Sequence, residues 1–213
     1  TGNADVRIGF AKDLVNVGDI VKASDGTTTR EVTVTAADKA NGYVNTDFPL
    51  PADGATLKVS AFIVDAAGNT SNTGSASAIV DLTEFKNLTI AIREDENDDG
   101  FINQAELKDN DIDVRVTIPQ GAAVGDTLTI TAVGNVDQVF TLTAAQIAAG
   151  AIDVKFNPTF SNTDFKVTAS IVDAAGNSAG PVEDSARIIN TPPSEPIVTI
   201  LEDANNDTWI NAA

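Results

Sequence analysis

The chain repeats itself along its length, and this repetition constrains its fold more than any other feature. The heptapeptide Ile63–Asn69 recurs letter for letter as Ile171–Asn177, and residues 5–7 recur at the same spacing as residues 113–115. We call the spacing that carries residue 63 to residue 171 the repeat offset. A period of ~100 residues is too long for one unit of a solenoid but is the usual size of a small domain. The sequence therefore predicts a tandem array of whole domains.

Within each repeat, apolar and polar residues alternate, which is the pattern of half-buried β-strands. Residues 88–92 and 114–118 each place their apolar side chains on one face, and the longer run 57–64 is matched by 165–172. Such period-2 runs, spaced by ~8–12 residues, predict an all-β fold of tandem Ig-like β-sandwich domains. Two short stretches have helical character instead, each ending at a glycine: Thr35–Gly42 and Thr143–Gly150.

Linkers indicate where the domains meet. Residues 190–196, N-T-P-P-S-E-P, predict a short stiff linker because consecutive prolines favour extended backbone. Residues 81–86 take the corresponding place without prolines. The predicted domains are 1–83, an Ig-like domain lacking its first strand; 84–190, a complete Ig-like domain; and 191–213, the first strand and calcium loop of a further repeat. We expect that last strand either to pair with a neighbouring molecule or to fray.

An acidic run at residues 95–106, D-E-N-D-D-G-F-I-N-Q-A-E, has the residue types and spacing of a calcium-binding loop. Calcium takes six to eight oxygen ligands at ~2.3–2.6 Å, and Gly100 stands where such a loop turns sharply. The flanking residues have strand rather than helix patterns, so the run is predicted to be a calcium-binding A–B loop of a β-domain. A solvated acidic turn is the alternative. The predicted ligands are Asp95, Asn97, Asp99, the main-chain carbonyl of Phe101, Asn103 and Glu106.

Two further sets of residues are weaker metal candidates. The acidic run recurs with Thr208 in place of the glycine. The second run is therefore either a second calcium loop or a simple turn. The D-A-A-G-N turns offer a possible interdomain metal site, against the alternative that their Asp and Asn side chains only close the turn. The residues concerned are Asp203, Asn205, Asp207 and the main-chain carbonyl of Trp209 in the second run, and Asp65, Asn69, Asp173 and Asn177 in the turns.

Composition excludes several classes of function. The net charge of −18 argues against nucleic acid and against an anionic membrane surface, because both need clustered Lys and Arg. The chain contains no cysteine, methionine or histidine, so disulfides, the usual zinc ligands and a Ser-His-Asp mechanism are all excluded. No apolar run approaches ~18 residues, so membrane insertion is not expected. A disulfide-free, strongly acidic domain is well suited to being held by calcium.

Several of these features together resemble the extender repeats of the giant RTX adhesins of Gram-negative bacteria, which include ice-binding and biofilm-forming proteins. The shared text comprises the acidic run from Glu94 to Leu107, the G-D-T-L-T-I run 125–130, the V-D-A-A-G-N turn 172–177 and a proline-rich link. The resemblance implies type I secretion, folding outside the cell in calcium, and service as a stalk on the bacterial cell surface.

The function expected from the sequence is that of a structural extender, in which calcium-stiffened tandem domains project a distal binding domain away from the cell. Neighbouring repeats of the same chain are the expected partners, and no small-molecule substrate is expected. The alternative is an adhesin module that itself binds a glycan or protein. A glycosidase using paired carboxylates is disfavoured, because the acidic residues cluster in turns and the chain has one Trp and one Tyr. We therefore do not expect an enzyme.

Overall fold

The structure, a computed structural model, describes residues 2–158, 163–189, 191–201 and 209. It divides into two compact units. Unit 1 comprises residues 1–84 with the turn 174–177, and unit 2 comprises residues 85–173 with 178–213. Residues 191–201 form neither helix nor strand. In the part of the chain that is described, neither of the two helices has the length or apolar character needed to cross a membrane.

Unit 1 is built from two antiparallel sheets. One sheet pairs β1 with β4, and the other has the order β3-β2-β5-β6. Buried valines and Phe48 fill the space between the sheets. The elements are β1 (Asn3–Gly9), β2 (Ile20–Ser24), β3 (Thr29–Thr33), α1 (Ala36–Asn41), β4 (Tyr43–Pro49), β5 (Thr56–Val64) and β6 (Gly74–Ile79).

Unit 2 repeats this plan with two more strands. One sheet has the order β12-β9-β7 and the other β11-β10-β13-β14-β8, where β8 runs parallel to β14. Its elements are β7 (Thr89–Ile92), β8 (Phe101–Asn103), β9 (Ile112–Thr117), β10 (Thr127–Ala132), β11 (Gln138–Thr141), α2 (Ala144–Ala149), β12 (Ala151–Phe156), β13 (Asp164–Val172) and β14 (Ser178–Ile189).

The strand order of unit 2 is that of an Ig-like sandwich. Strands B and E of that fold share one sheet and strands C, F and G the other. Here β9 and β12 take the places of B and E, whereas β10, β13 and β14 take those of C, F and G. Alternate residues of both sheets meet in one core that contains Ile92, Ile102, Val114, Leu128, Phe165 and Ile188. The predicted all-β Ig-like fold is confirmed.

Two strand pairs of unit 1, β1–β4 and β5–β6, share their register with strand pairs of unit 2 at the repeat offset. Ile8 lies opposite Val44 in unit 1, as Val116 lies opposite Ile152 in unit 2. The β5–β6 pair Leu57–Ala78 corresponds in the same way to the β13–β14 pair Phe165–Ala186. The repeat seen in the sequence is therefore a repeat of backbone pairing as well.

Both predicted helical turns are present, and local chemistry explains them. Thr35 and Thr143 each open a helix with a capping box, in which the threonine hydroxyl and the third helical side chain satisfy each other's backbone N–H groups. Gly42 and Gly150 end the helices with φ of 84° and 72°, a left-handed conformation that favours glycine. The two helices are thus specified locally and are equivalent in the two repeats.

A buried aspartate marks the turn before β2 and again before β10. Asp19 and Asp126 are only 4% and 5% exposed. Each carboxylate accepts a backbone N–H bond of 2.7 Å, from Asn16 and Ala123 respectively, so the buried charge is satisfied within its own turn. Sequence reasoning did not find this role, although the V-G-D triplet is repeated in both units.

Candidate metal-binding loop

The acidic run lies where the first strand of unit 2 crosses from one sheet to the other. Residue 93 ends the pairing on the first sheet, with its N–H donated to the carbonyl of Asp113 at 2.8 Å. The carbonyl of Gly100 begins the pairing on the second sheet by accepting the N–H of Arg187 at 2.8 Å. Both ends of the loop are therefore held by main-chain hydrogen bonds, one to each sheet.

This position differs from the predicted A–B connection. The sequence predicts one first strand followed by the loop and then strand B. In the structure, loop positions 7 to 9 form the short strand β8 (Phe101–Asn103), which pairs with β14 in the opposite sheet. The fully buried side chain of Ile102 fixes β8 to the core. The first strand is split in two, and the acidic loop is the crossover between its halves.

Asp95 organises the first half of the loop. Its Oδ1 accepts the N–H of Asp99 at 3.0 Å, and its Oδ2 accepts the N–H of Gly100 at 2.9 Å. The chain folds back tightly there, because Asp98 and Gly100 both have left-handed φ values, of 56° and 79°. Glycine at position 6 meets this requirement without strain, as the sequence predicts.

Asn97 and Asp99 complete the turn around the same backbone. The Oδ1 of Asn97 accepts the N–H of Asp99 at 3.1 Å, so it lies beside the Oδ1 of Asp95 on one side of the loop. The Oδ1 of Asp99 accepts the N–H of Phe101 at 2.9 Å, and its Oδ2 accepts the Asn97 amide at 2.9 Å. Oxygens from positions 1, 3 and 5 are thus gathered around one short backbone stretch.

Asn103 and Glu106 form a reciprocal pair at the far end of the run. The Oδ1 of Asn103 accepts the N–H groups of Ala105 at 2.8 Å and of Glu106 at 3.2 Å. The Oε2 of Glu106 accepts the N–H of Asn103 at 2.9 Å. This is the hydrogen-bond pattern of a capping box, formed on a turn rather than a helix. Leu107 buries its side chain immediately afterwards and anchors the turn to the core.

The six predicted ligands fit calcium in chemistry. All six groups present oxygen, the ligand atom that a hard cation prefers, and three of them are carboxylates. Each of the five side chains also accepts N–H bonds from the loop's own backbone. Within the described residues, no three Asp or Glu side chains converge as a metal-binding group. Calcium binding by this loop stays a prediction.

Two glutamates beside the loop have pKa values that are shifted in opposite directions. Glu94 is 8% exposed, and burial raises the pKa of its carboxyl although the N–H of Asp113 donates to it at 2.7 Å. Glu96 pairs with Lys108, whose hydrogen bond and positive charge lower the pKa of the Glu96 carboxyl. A polar cavity of about 310 Å³ lies between these groups, and Glu106 also lines it.

Sequence reasoning missed a cluster of carboxylates gathered by Lys155. Its Nζ lies 2.5 Å from an oxygen of Asp109, 3.2 Å from one of Asp113 and 3.7 Å from one of Asp111. These hydrogen bonds and charges raise the pKa of the lysine and lower that of Asp109. Lys155 is 46 residues from Asp109 along the chain. Only the β9–β12 pairing, which places Lys155 opposite Asp113, brings the groups together.

The predicted second calcium run falls mostly outside the described residues. The structure does not describe Asp203, Asn205 and Asp207, and their role as calcium ligands stays a prediction. Trp209 is described, and its side chain is 77% exposed.

The first D-A-A-G-N turn uses its polar groups to close itself. Asp65 accepts N–H bonds from Ala67 at 2.9 Å and from Asn69 at 2.8 Å, and the Asn69 amide donates to it at 2.8 Å. The hydrogen bonds that Asn69 donates lower the pKa of the Asp65 carboxyl. Gly68 has a left-handed φ of 89°. This geometry closes the turn, and a metal site at Asp65 and Asn69 stays a prediction.

The second D-A-A-G-N turn joins β13 to β14. Asp173 is half-buried at its start. Asn177, which belongs to unit 1 together with the rest of the turn 174–177, donates its amide to Oδ1 of Asp81 at 3.1 Å. The structure thus brings Asn177 together with an aspartate that was not among the predicted ligands. A metal site at Asp173 and Asn177 stays a prediction.

Comparison with known proteins does not establish a family for this chain. No protein-family model and no curated protein sequence matches the chain. Similar solved structures include the FN1–FN3 domains of chicken CNTN1, with 16% identity over 80% of this chain and 56% of that one, and a TM-score of 0.38. A tetra-tandem repeat from the extending region of a large adhesion protein has 21% identity over 79% of this chain and 40% of that one, with a TM-score of 0.33.

A third similar structure is the D00–D0 domain of intimin, with 14% identity over 87% of this chain and 84% of that one, and a TM-score of 0.29. The chain spans about half the length of the first two structures, at 56% and 40%. Identities and TM-scores at this level do not establish a shared function. The class that the fold defines, a tandem Ig-like β-sandwich protein, rests on the strand order described above.

Proposed function

We propose that this chain is a structural extender of a large bacterial cell-surface adhesin, in which tandem Ig-like domains stiffened by calcium hold a distal binding domain away from the cell. The observation that carries the proposal is the strand register that two strand pairs of unit 1 share with unit 2 at the repeat offset. A protein that repeats one scaffold, with equivalent helices and turns, is suited to spanning distance. The role proposed is structural rather than catalytic, and the location is outside the cell after type I secretion.

Calcium has a mechanical part in this proposal. The acidic loop is the covalent link between the two halves of the first strand, and those halves lie in opposite sheets. A cation held by Asp95, Asn97, Asp99 and Glu106 would fix that crossover and relieve repulsion among its carboxylates. The neighbouring repeats of the same chain would then be the partners that each stiffened domain supports.

The energy expected for each site is small and adds along an array. Extracellular calcium modules bind with a Kd of ~10⁻⁴–10⁻³ M. At a calcium concentration tenfold above Kd, the liganded state gains about 1.4 kcal/mol. In repeat proteins such terms accumulate through the stability of each domain and its neighbours. One site therefore adjusts the stiffness of one domain, whereas many sites straighten a long array.

Small-angle scattering with and without calcium tests the stiffening, at protein concentrations where the chain is monomeric. We expect calcium to give a more extended and less flexible profile for the unaltered chain. Asp99→Asn should abolish the change, because it removes a ligand charge from loop position 5. Asp98→Asn is the matched control, because it removes one negative charge at the adjacent residue, which is not a predicted ligand. Asparagine tolerates the left-handed φ of 56° at this position. Equal loss in both variants would mean that calcium acts only through net charge.

A glycan array with the same calcium-loaded chain separates the extender from a binding module. The extender proposal expects no saturable glycan binding together with a calcium-dependent scattering change. Specific glycan binding without any scattering change would reverse the assignment.

A further inference from the structure

One strand of unit 2, β14, holds both ends of the acidic crossover, by which we mean residues 93–99. At the first end, Oδ2 of Asp184 accepts the N–H of Ile92 at 2.8 Å. At the second end, the N–H of Arg187 donates to the carbonyl of Gly100 at 2.8 Å. The two anchor residues are three positions apart on β14, which is about 10 Å at ~3.3 Å a residue. The crossover is therefore fastened at both ends to one short stretch of β14.

Asp184 gives β7 a hydrogen-bond acceptor on the side where it has no neighbouring strand. Among the described residues, β7 is the last strand of the sheet β12-β9-β7, and edge strands leave backbone groups without a ladder partner. Ile92 lies opposite Val114 of β9, and its N–H donates to Asp184 of the other sheet. The half-buried Asp184 shares the inward face of β14 with the buried Ala186 and Ile188. A side-chain hydrogen bond thus joins the two sheets where the first strand leaves one of them.

The pairing of β8 with β14 fastens the far end of the crossover. The two strands run parallel, and Ile102 lies opposite Ile188. Both side chains are buried in the core, at 0% and 1% exposure. Because core side chains are closely packed, sliding β8 along β14 would break main-chain hydrogen bonds and displace both isoleucines at the same time.

The direction of these strands determines how a pull along the chain loads them. The chain enters unit 2 before β7 and leaves it after β14. Tension therefore pulls β8 toward its N-terminal end and β14 toward its C-terminal end. Because β8 and β14 are parallel, these two ends lie at opposite ends of the ladder, and its hydrogen bonds are loaded together in shear. In an antiparallel pair the pulled ends would lie side by side, and the bonds would open one after another.

We propose that the acidic crossover, β8 and β14 form a mechanical clamp that lets unit 2 carry tension along the chain, and that Asp184 closes this clamp. The inference rests on the extender function proposed above, because a stalk is loaded along its length. The clamp consists of protein groups alone: the hydrogen bond from Ile92 to Asp184, the β8–β14 ladder and the buried pair of Ile102 and Ile188. It therefore acts in the absence of calcium as well.

Calcium strengthens this clamp in the proposal but does not create it. Asp95, Asp98 and Asp184 line one cavity of about 560 Å³, together with Arg93 and Glu96. The carboxylates there outnumber the single guanidinium, and a cation held by the loop would lower their mutual repulsion. The clamp and the calcium effect can thus be measured separately.

Magnetic tweezers that hold the full 213-residue chain by its two ends test the clamp, at constant force and in EDTA. The units are distinguished by their gains in length on unfolding, about 25 nm for unit 1 and about 35 nm for unit 2, at ~3.5 Å a residue. We expect Asp184→Ala to shorten the lifetime of unit 2 about tenfold, as the loss of one hydrogen bond to a charged group does, and to leave unit 1 unchanged. Asp184→Asn keeps an acceptor oxygen for the N–H of Ile92 and should restore most of the lifetime.

Glu183→Ala is the matched control for the loss of one carboxylate from β14. Glu183 is exposed and precedes Asp184, but its carboxylate pairs with Lys166 of the same sheet at 2.6 Å. An exposed ion pair of this kind contributes little, so we expect the lifetime of unit 2 to stay within about threefold of the unaltered chain.

A second pulling direction separates the clamp from a general effect on stability. The chain has no cysteine, so Gln120→Cys and Asp137→Cys place handles on exposed residues on either side of β10. The load then falls on β10, and Asp184→Ala should change the lifetime by less than about threefold, because the clamp is not broken in that transition state. Equal shortening in both directions, or an unchanged lifetime in the end-to-end direction, would overturn the proposal.

Repeating the end-to-end measurement in calcium distinguishes the clamp from the proposed stiffening by calcium. We expect calcium to lengthen the lifetime of unit 2 in the unaltered chain. Equal lifetimes in EDTA and calcium, with the effect of Asp184→Ala retained, would support the clamp and count against calcium stiffening.

Discussion

Replacing Ile102 by alanine removes the side chain that fixes the acidic crossover to the core of unit 2. Ile102 is fully buried on β8, where it packs in the core with residues of both sheets. The substitution deletes three carbon groups, worth about 2.4 kcal/mol at ~0.8 kcal/mol each. The unfilled cavity adds to this, and buried Ile→Ala changes cost about 2–5 kcal/mol in total. We therefore expect unit 2 to lose about 3 kcal/mol of unfolding free energy.

Hydrogen exchange measured across a urea series follows this loss unit by unit. Peptides from residues 165–172 report on unit 2, and peptides from 57–64 report on unit 1 and should not change. In a thermal scan, about 3 kcal/mol corresponds to a fall in Tm on the order of 10–20 °C for a domain of ~100 residues. Ile189→Ala is the matched control, since it lies in the next pair of the same β8–β14 ladder but is 37% exposed. We expect it to cost about 1.5 kcal/mol, because about a third of the side chain is already exposed and no buried cavity is left.

A loss below about 1 kcal/mol for Ile102→Ala would refute this reasoning. It would mean that β8 is not held by the core and that the crossover between the sheets is loose. A loss of equal size in both units would show instead that the units unfold as one body.

Further predictions concern single turns. Thr143→Ala should destabilise unit 2 by about 1 kcal/mol, because it removes the hydroxyl that caps α2. Chemical unfolding measures this loss of unfolding free energy. The control Thr141→Ala, at an exposed strand position, should change the unfolding free energy by less than about 0.5 kcal/mol. Asp25 has a lowered pKa because the N–H groups of Thr28 and Thr27 donate to its carboxylate. Its stabilisation of unit 1 is therefore present above pH 3.8 and is lost as the pH falls through the lower pKa of the folded state. Asp25→Asn should abolish that acid-dependent part of the unfolding curve between pH 2 and 7, and an unchanged curve would contradict the assignment.

Local chemistry made much of the fold predictable from the sequence. Period-2 alternation indicates the strands because each sheet has one face in the core, and the two threonine-led capping boxes specify α1 and α2 without help from the rest of the chain. The left-handed turn at Gly100 also follows from residue type and spacing alone. These features need only neighbours within a few positions.

Features that depend on distant pairing were not predictable in the same way. The split of the first strand depends on Ile102 reaching the core beside β14, whose paired residues 187–189 lie far along the chain. The cluster around Lys155 depends on the register of β9 with β12. In the D-A-A-G-N turns, residue types suit a metal and a closed turn equally well. The hydrogen bonds around Asp65 show how the first turn is closed, and metal binding at these turns stays a prediction.

Thermal unfolding of the chain in EDTA and in 10 mM calcium, at fixed ionic strength, tests the central claim most directly. We expect a higher Tm for unit 2 in calcium, by several degrees, from about 1–2 kcal/mol of binding energy per site. Asp99→Asn should remove that increase, whereas Asp98→Asn should retain it. Superimposable curves in EDTA and calcium for the unaltered chain would contradict the claim that calcium braces this protein.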